Sequence, residues 1–272
     1  MCRFVTYIGK KPILLSNILN TPKNSLLNQS RHSKESNYGS MNADGFGLAW
    51  YKQEISKEAG MYKSTQPMWN DINLKHISNK ITSDCFLSHV RASTIGTVSI
   101  SNCHPFVHKE YAFVHNGEIN HFNKIHRQLL LKLEDELFDS IGGHTDSEHT
   151  FFLIMHFLMN DKERNLEKAV HKAFAWILDH QKNDDDTHYV KLNISITNGN
   201  QVISTRFSSK TALPESLHYT TNLKEETGAT KEIGVLVASE PVTEYSNNWE
   251  EVPINHYLVI DKNNLNVQLK SF

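Results

Sequence analysis

Two apolar helical segments in the middle of the chain, with strand-like segments on both sides, constrain the fold more than any other feature of this sequence. The first carries Phe151, Phe152, Ile154, Met155 and Leu158. Thr145-Asp146-Ser147-Glu148 ahead of it fits the capping box Ser/Thr-x-x-Glu, which satisfies the unpaired N–H groups of a helix start. The second runs over about 162–181 and carries Leu166, Ala169, Val170, Ala173, Phe174, Ile177 and Leu178 at spacings of three and four, one apolar helix face. A further helical pattern over 122–138 is broken by Gly142-Gly143. Strand-like segments precede this block at 2–8, 44–51, 85–90, 104–108 and 111–115, and follow it at 192–197, 201–207, 217–221, 233–239, 256–260 and 266–269. Strands gathered before and after helices, instead of alternating with them, predict an α+β fold of sheet and helix layers, not a doubly wound βαβ fold.

Smaller features fill the gaps. Ile13, Leu14, Leu15, Ile18 and Leu19 mark a short packed helix or turn, and 69–81 reads as a helix with Ile72, His76 and Ile77 on one side. Residues 21–42 are polar throughout and predict a long surface loop, a class of segment that is often functional. Asp44-Gly45 is a hairpin signal, and Phe46-Gly47-Leu48-Ala49-Trp50-Tyr51 a buried strand whose glycine admits close backbone approach.

The whole chain of 272 residues suits one domain, taken here as 1–272, and carries a net charge of -2, which speaks against nucleic-acid binding. Cys2, Cys85 and Cys103 are odd in number and lack a C-x-x-C spacing, so a reducing, cytoplasmic setting is expected. No signal-peptide pattern opens the chain, and no apolar run approaches the ~20 residues that span a bilayer, so no membrane association is expected. Sixteen histidines are scattered without a tight ligand spacing, and no metal site is expected.

The chemistry gathers at segment ends. Trimming of Met1 leaves Cys2 with a thiol nucleophile and, in the same residue, a free α-amine whose pKa of about 7.7–8.0 suits a base near neutrality; the alternative is a small apolar residue opening a strand. Arg91 reads as a solvated strand end or as a bidentate carboxylate grip. Asn116-Gly117 reads as a type I′ turn or as an oxyanion hole made of a side-chain amide and a backbone N–H. Asp146 reads as a first-turn acid favoured by the helix dipole or as a grip on an ammonium group. His104 reads as structural in preference to a base, and Cys85 and Cys103 as buried apolar residues. Together these are the parts that hydrolysis of a glutamine-like side chain requires.

In this order the residues resemble the type-2 glutamine amidotransferases, the glutaminase branch of the N-terminal-nucleophile hydrolases. The matching pieces are Cys2, His89-x-Arg91-x-x-Thr94-x-Gly96, Asn102-x-His104-Pro105, His115-Asn116-Gly117 and Thr145-Asp146-Ser147-Glu148. Asn42 to Tyr51, Pro67-Met68-Trp69 and Ser239-Glu240-Pro241 resemble the stand-alone members, which include γ-glutamyl hydrolases of ergothioneine and glutathione metabolism. The resemblance implies a four-layer αββα sandwich, Cys2 as nucleophile, Asn116 and Gly117 as oxyanion hole, Arg91 and Thr94 on the substrate α-carboxylate, and Asp146 on its α-ammonium. It implies no metal or organic cofactor. The chain left after the glutaminase region is too short for the synthase domain of fused members. The expectation is therefore a plain hydrolase of glutamine or a γ-glutamyl compound, or one that passes ammonia to a separate acceptor protein. The competing expectation is a non-catalytic or partner-dependent subunit of a γ-glutamyl-processing complex.

Overall fold

Strand β1 (Arg3–Leu14) is buried on both faces over its first seven residues, and its side chains alternate between two cores. Val5 and Tyr7 face one way, Phe4 and Ile8 the other, as the two-residue period of a strand requires. The computed structural model describes residues 2–35, 41–93, 97–181, 188–209, 212–223, 234–243 and 248–272. In it β1 lies inside a seven-stranded sheet. The order is β11 (Glu250–Glu251), β9 (His218–Thr220), β10 (Gly234–Ala238), β1, β4 (Thr82–Val90), β2 (Phe46–Lys52) and β3 (Ser56–Ser64). A six-stranded sheet runs β13 (Val267–Ser271), β12 (His256–Asp261), β8 (Gln201–Arg206), β7 (Val190–Thr197), β6 (Tyr111–Ile119) and β5 (Phe106–His108). Neighbouring strands pair antiparallel in both sheets.

Three apolar clusters define four layers. Phe4, Ile8, Cys85 and Leu87 meet Ala112, Val114, Leu258 and Ile260 between the sheets. The outer face of the seven-stranded sheet packs on α1 (Ser16–Leu19), α2 (Leu26–Arg31) and α3 (Ile72–Ser78) through Ile18, Leu19, Leu26 and Leu74. The outer face of the six-stranded sheet packs on α4 (Asn123–Leu130), α5 (Asp135–Asp139), α6 (Asp146–Met159) and α7 (Leu166–His180). This is the expected αββα sandwich. Polar bonds tie the sheets across the middle: Thr6 Oγ1 donates to Ser195 Oγ (2.9 Å), and Tyr51 Oη donates to the Thr197 carbonyl (3.0 Å).

Several local expectations change. The polar stretch 21–42 is not a loop throughout: Ser25 Oγ accepts the Asn28 N–H (3.4 Å) and starts α2, and Leu26 plugs into the core. Within it, 36–40 lie outside the described residues. Asp44-Gly45 is not a hairpin turn; the β2–β3 turn falls at 53–55, closed by the Ile55 N–H on the Lys52 carbonyl (2.8 Å). The 122–138 pattern divides into α4 and α5, and the later helix starts at Leu166 because Asn165 Oδ1 accepts the Lys168 N–H (2.9 Å). On α3 the buried side is Leu74 and Ser78, while Ile72 is 71% exposed, so the expected apolar face was misread. Strand β3, half-exposed and rich in Lys, Glu and Ser, carries no apolar signal of its own.

Helix α6 is buried from Asp146 to Met155, held between the six-stranded sheet and α7. Phe151, fully buried, stacks on Phe113 of β6 at a centroid distance of 5.4 Å. Phe151→Ala is expected to lower unfolding stability by about 3–5 kcal/mol, from lost burial and the cavity left behind, as read by denaturant unfolding.

Candidate active site

The open end of the sandwich gathers the chain start, the end of β4, the far half of β6 and the first turn of α6. Cys2, Arg91, Gly117 and Asp146 line one cleft there, together with Ser93 and His104. Cys2 is half-buried. Its Sγ receives the Ala92 N–H (3.4 Å) and lies 3.5 Å from the Ala92 carbonyl. Burial pushes the Cys2 thiol up, while the Ala92 N–H and the charges of Arg91 and Arg3 pull against that rise.

Arg3 fixes the residue beside the thiol. Its guanidinium, with no exposed surface, donates from Nε to Glu240 Oε1 (2.8 Å) and from Nη1 to the Cys2 carbonyl (3.0 Å), with Glu215 Oε2 at 3.5 Å. Glu240 in turn accepts the Lys34 and Glu35 N–H groups, each at 3.0 Å. The Phe4 N–H donates to Ser239 Oγ and the Ser239 N–H to the Phe4 carbonyl, each at 3.0 Å. Ser239-Glu240-Pro241, noted in the sequence only as a likeness, is therefore the clamp on the start of β1.

Asp44 is a site-shaping residue that sequence reasoning missed, having assigned it to a turn. Its Oδ2 accepts the Ser93 N–H (2.7 Å), and the backbones of Asp44-Gly45 and Arg91 extend the ladder by two bonds of 3.0 and 2.8 Å. This holds the segment that carries Arg91 and Ala92. Gly45 sits at φ +105°, and a Cβ there would lie 2.6 Å from Cys103 Sγ. Arg91 is buried and donates from Nη1 to the Thr97 carbonyl (3.2 Å). Thr94, expected beside it, lies outside the described residues.

Asn116-Gly117 is not a turn. Both lie inside β6, paired with Asn193 and Leu192 of β7, so the strand runs past the expected end. A Cβ on Gly117 would strike the Lys191 carbonyl, which explains the glycine. Asn116 shares a strand face with Ala112 and Val114, which point between the sheets. Its side-chain amide is buried with neither Nδ2 nor Oδ1 hydrogen-bonded.

Asp146 opens α6. Oδ2 accepts the Ile119 N–H (2.7 Å), and Oδ1 accepts the Ser147 N–H (2.8 Å). The Ser147 Oγ lies 3.3 Å from Oδ1 and gives its proton to the closer His115 Nδ1 (2.8 Å). The capping box forms only by half: Thr145 Oγ1 accepts the Glu148 N–H (3.2 Å), but the Glu148 carboxylate takes Gly142 and Gly143 N–H groups at 3.0 and 2.7 Å. Asn102 joins the neighbouring loops, accepting from the His144 N–H and donating to the Thr97 carbonyl, each at 3.0 Å.

Three buried histidines sit at the cleft: His104 and His115 line it, and His89 packs behind them. His89 Nε2 meets the His115 carbonyl at 3.1 Å; His115 Nε2 meets the Lys191 carbonyl at 3.0 Å, and its Nδ1 meets Ser147 Oγ at 2.8 Å. The His104 ring packs against His89, tilted by 33° at a centroid distance of 4.1 Å. Burial pushes His89 down to about 3, His104 well below the histidine range, and His115 down against the pull of the Asp146 charge. All three are neutral at pH 7.

The described residues hold no cluster of three or more His, Cys, Asp or Glu able to hold a metal ion, and no helix long and apolar enough to cross a membrane.

A family model described as class-II glutamine amidotransferases matches residues 12–271. The chain belongs to that family. Over 96% of its length it is 36% identical to the probable glutamine amidotransferase DUG3 of Saccharomyces cerevisiae, of which it covers 82%. It is 26% identical to a γ-glutamyl-hercynylcysteine sulfoxide hydrolase of Mycolicibacterium smegmatis, with 94% of each chain covered. Among solved structures, a glutamine aminotransferase class-II domain protein from Silicibacter pomeroyi aligns over the whole chain with a TM-score of 0.70 at 24% identity, and over 99% of its own length. A glutamine phosphoribosylpyrophosphate amidotransferase from B. subtilis aligns with a TM-score of 0.65 at 13% identity, through 49% of its length. These two establish the fold. Membership of the family makes the protein a glutamine-type amidohydrolase.

Two outcomes follow from the site. Glu240→Ala leaves Arg3 buried without its closest partner, and such a loss costs about 3–5 kcal/mol of stability; thermal and denaturant unfolding read it, with a fall in turnover as Cys2 loosens. The histidines set the acid side. His89 has its folded pKa far below the unfolded value of about 6.5. The unfolded state therefore binds more protons, and stability is expected to fall as pH drops from about 6.5 toward 3, as measured by unfolding across a pH series.

Proposed function

We propose that this chain hydrolyses the side-chain amide of glutamine or a γ-glutamyl compound through a thioester on Cys2. After Met1 is removed, the Cys2 α-amine takes the thiol proton as Sγ attacks the γ-carbonyl carbon. The carbonyl oxygen becomes an oxyanion, received by the Asn116 side-chain amide and the Gly117 N–H. Collapse breaks the C–N bond, the ammonium returns its proton to the leaving nitrogen, and ammonia or an amine departs. Water then adds to the thioester by the same route, releases glutamate and restores the thiol. Arg91 and Thr94 hold the α-carboxylate and Asp146 the α-ammonium. Binding these two charges fixes the scissile carbon against Sγ, and such fixed geometry supplies much of a catalyst's advantage.

The observation that carries this reading is the shared cleft: Cys2, Arg91, Gly117 and Asp146 arrive from four separate elements and line one surface. The unpaired, buried amide of Asn116 is a donor available to an oxyanion. The pairing of β1 with β10, from opposite ends of the chain, supports one catalytic domain over 1–272. Three free thiols support a cytoplasmic setting. The released ammonia either leaves to solvent or passes to a separate acceptor protein, and the same Cys2 chemistry serves both.

Intact mass before and after 6-diazo-5-oxo-norleucine, a glutamine-shaped electrophile, tests the reading. Loss of Met1 and one adduct on Cys2 is expected. Cys2→Ala is expected to lose the adduct and glutamate release, and Asp146→Ala to raise KM more than it lowers kcat. Full glutamate release from Cys2→Ala would sink the mechanism.

A further inference from the structure

The ammonium side of the cleft has more donors to satisfy than Asp146 can accept. A carboxylate offers about four acceptor positions, and an ammonium group brings three N–H donors. Two positions on Asp146 are already taken, by the Ile119 and Ser147 N–H groups, since the Ser147 hydroxyl proton goes to His115 Nδ1. Roughly two remain for a bound α-ammonium. An ammonium held there alone would leave its third donor unmet, which is costly when buried.

Two imidazoles also line the cleft. His115 has both ring nitrogens engaged, with Ser147 Oγ and the Lys191 carbonyl. His104 has neither Nδ1 nor Nε2 hydrogen-bonded, although its side chain is 4% exposed. Its ring is held from two sides, tilted against His89 at 4.1 Å and edge-on to Phe106 at 4.6 Å. Burial and the neighbouring His89, His115, Lys63 and Arg91 keep it uncharged. A neutral imidazole has one nitrogen lone pair to offer and does not repel a cation.

We propose that His104 is a substrate-contacting residue whose unprotonated ring nitrogen accepts an N–H of the substrate α-ammonium, sharing that group with Asp146. The proposal rests on the γ-glutamyl reading above and goes beyond it by assigning His104 to recognition of the α-amino group. It makes the site selective for γ-glutamyl compounds that keep a free α-ammonium over the corresponding des-amino acyl compounds.

The experiment uses two probes whose meaning does not depend on the leaving amine: L-glutamate, and glutarate, which lacks only the amino group. Each protects Cys2 against alkylation by iodoacetamide. The proteins are the wild type, His104→Phe, which keeps a ring for stacking, and His104→Gln, which restores an acceptor. In His104→Phe the L-glutamate concentration for half protection is expected to rise about tenfold, the scale of one lost hydrogen bond to a charged group. The glutarate value is expected to stay unchanged, and His104→Gln to recover part of the loss. An equal shift for both probes would mean that His104 only supports packing, and no shift for either would mean that it does not touch the ligand; both overturn the assignment while leaving the γ-glutamyl reading in place. If neither probe protects the wild type and no γ-glutamyl amide is hydrolysed, that reading itself fails and the assignment falls with it.

Discussion

A buried guanidinium next to the thiol holds the start of this chain in place. Arg3 has no exposed surface, and its charge is met by Glu240 at 2.8 Å and Glu215 at 3.5 Å. A charge removed from water is tolerated only when paired and hydrogen-bonded. The pairing therefore forces segments far apart in sequence, around residues 3, 215 and 240, to meet at one point. A chain terminus ordinarily frays. Here the terminal strand lies inside a sheet, and the residue after Cys2 is locked on both sides. The nucleophile role proposed for Cys2 requires such an anchor, because catalysis depends on close positioning of the reacting groups.

The remaining cleft is built mostly by side chains that bond backbone. Asp44 holds the Ser93 N–H, Asn102 holds the His144 N–H, and Glu148 holds two glycine N–H groups. Each ties one loop to the next, so the loops carrying Arg91, His104 and Asp146 form a connected rim. There the neutral histidines pack together without net charge, leaving Arg91 and Asp146 as the charged side chains lining the described cleft. That division suits a zwitterionic amino-acid moiety, with one sign of charge offered to each end.

Much of this was legible beforehand for a definite reason. Cys2, Arg91, Asn116, Gly117 and Asp146 sit in short local patterns, and the two long helices declare themselves by their apolar spacing. Asp44, Arg3 and Glu240 were not legible, because their roles depend on partners roughly 50 to 240 positions away. His104 reads as structural from the sequence, since a His-Pro pair says nothing about where the ring points; the tertiary structure places it in the cleft lining with both ring nitrogens unpaired. The ambiguity of Asn116-Gly117 was resolved by pairing with β7, which made it mid-strand in place of a turn. The hidden helix at 26–31 shows the same limit: Leu26 alone of its buried residues is apolar, and only packing shows that Gln29 and Ser30 are inside.

The sequence by itself determined the layered α+β class, the period of each long element and the set of candidate reactive groups, since these follow from side-chain chemistry and near-neighbour spacing. Tertiary structure decided which of those groups share a cleft, which are already committed to backbone partners and which keep an open valence. Hydrogen-bond capacity is spent on whatever lies within about 3 Å, and what lies within that distance is fixed by how two sheets stack, not by the order of residues along the chain.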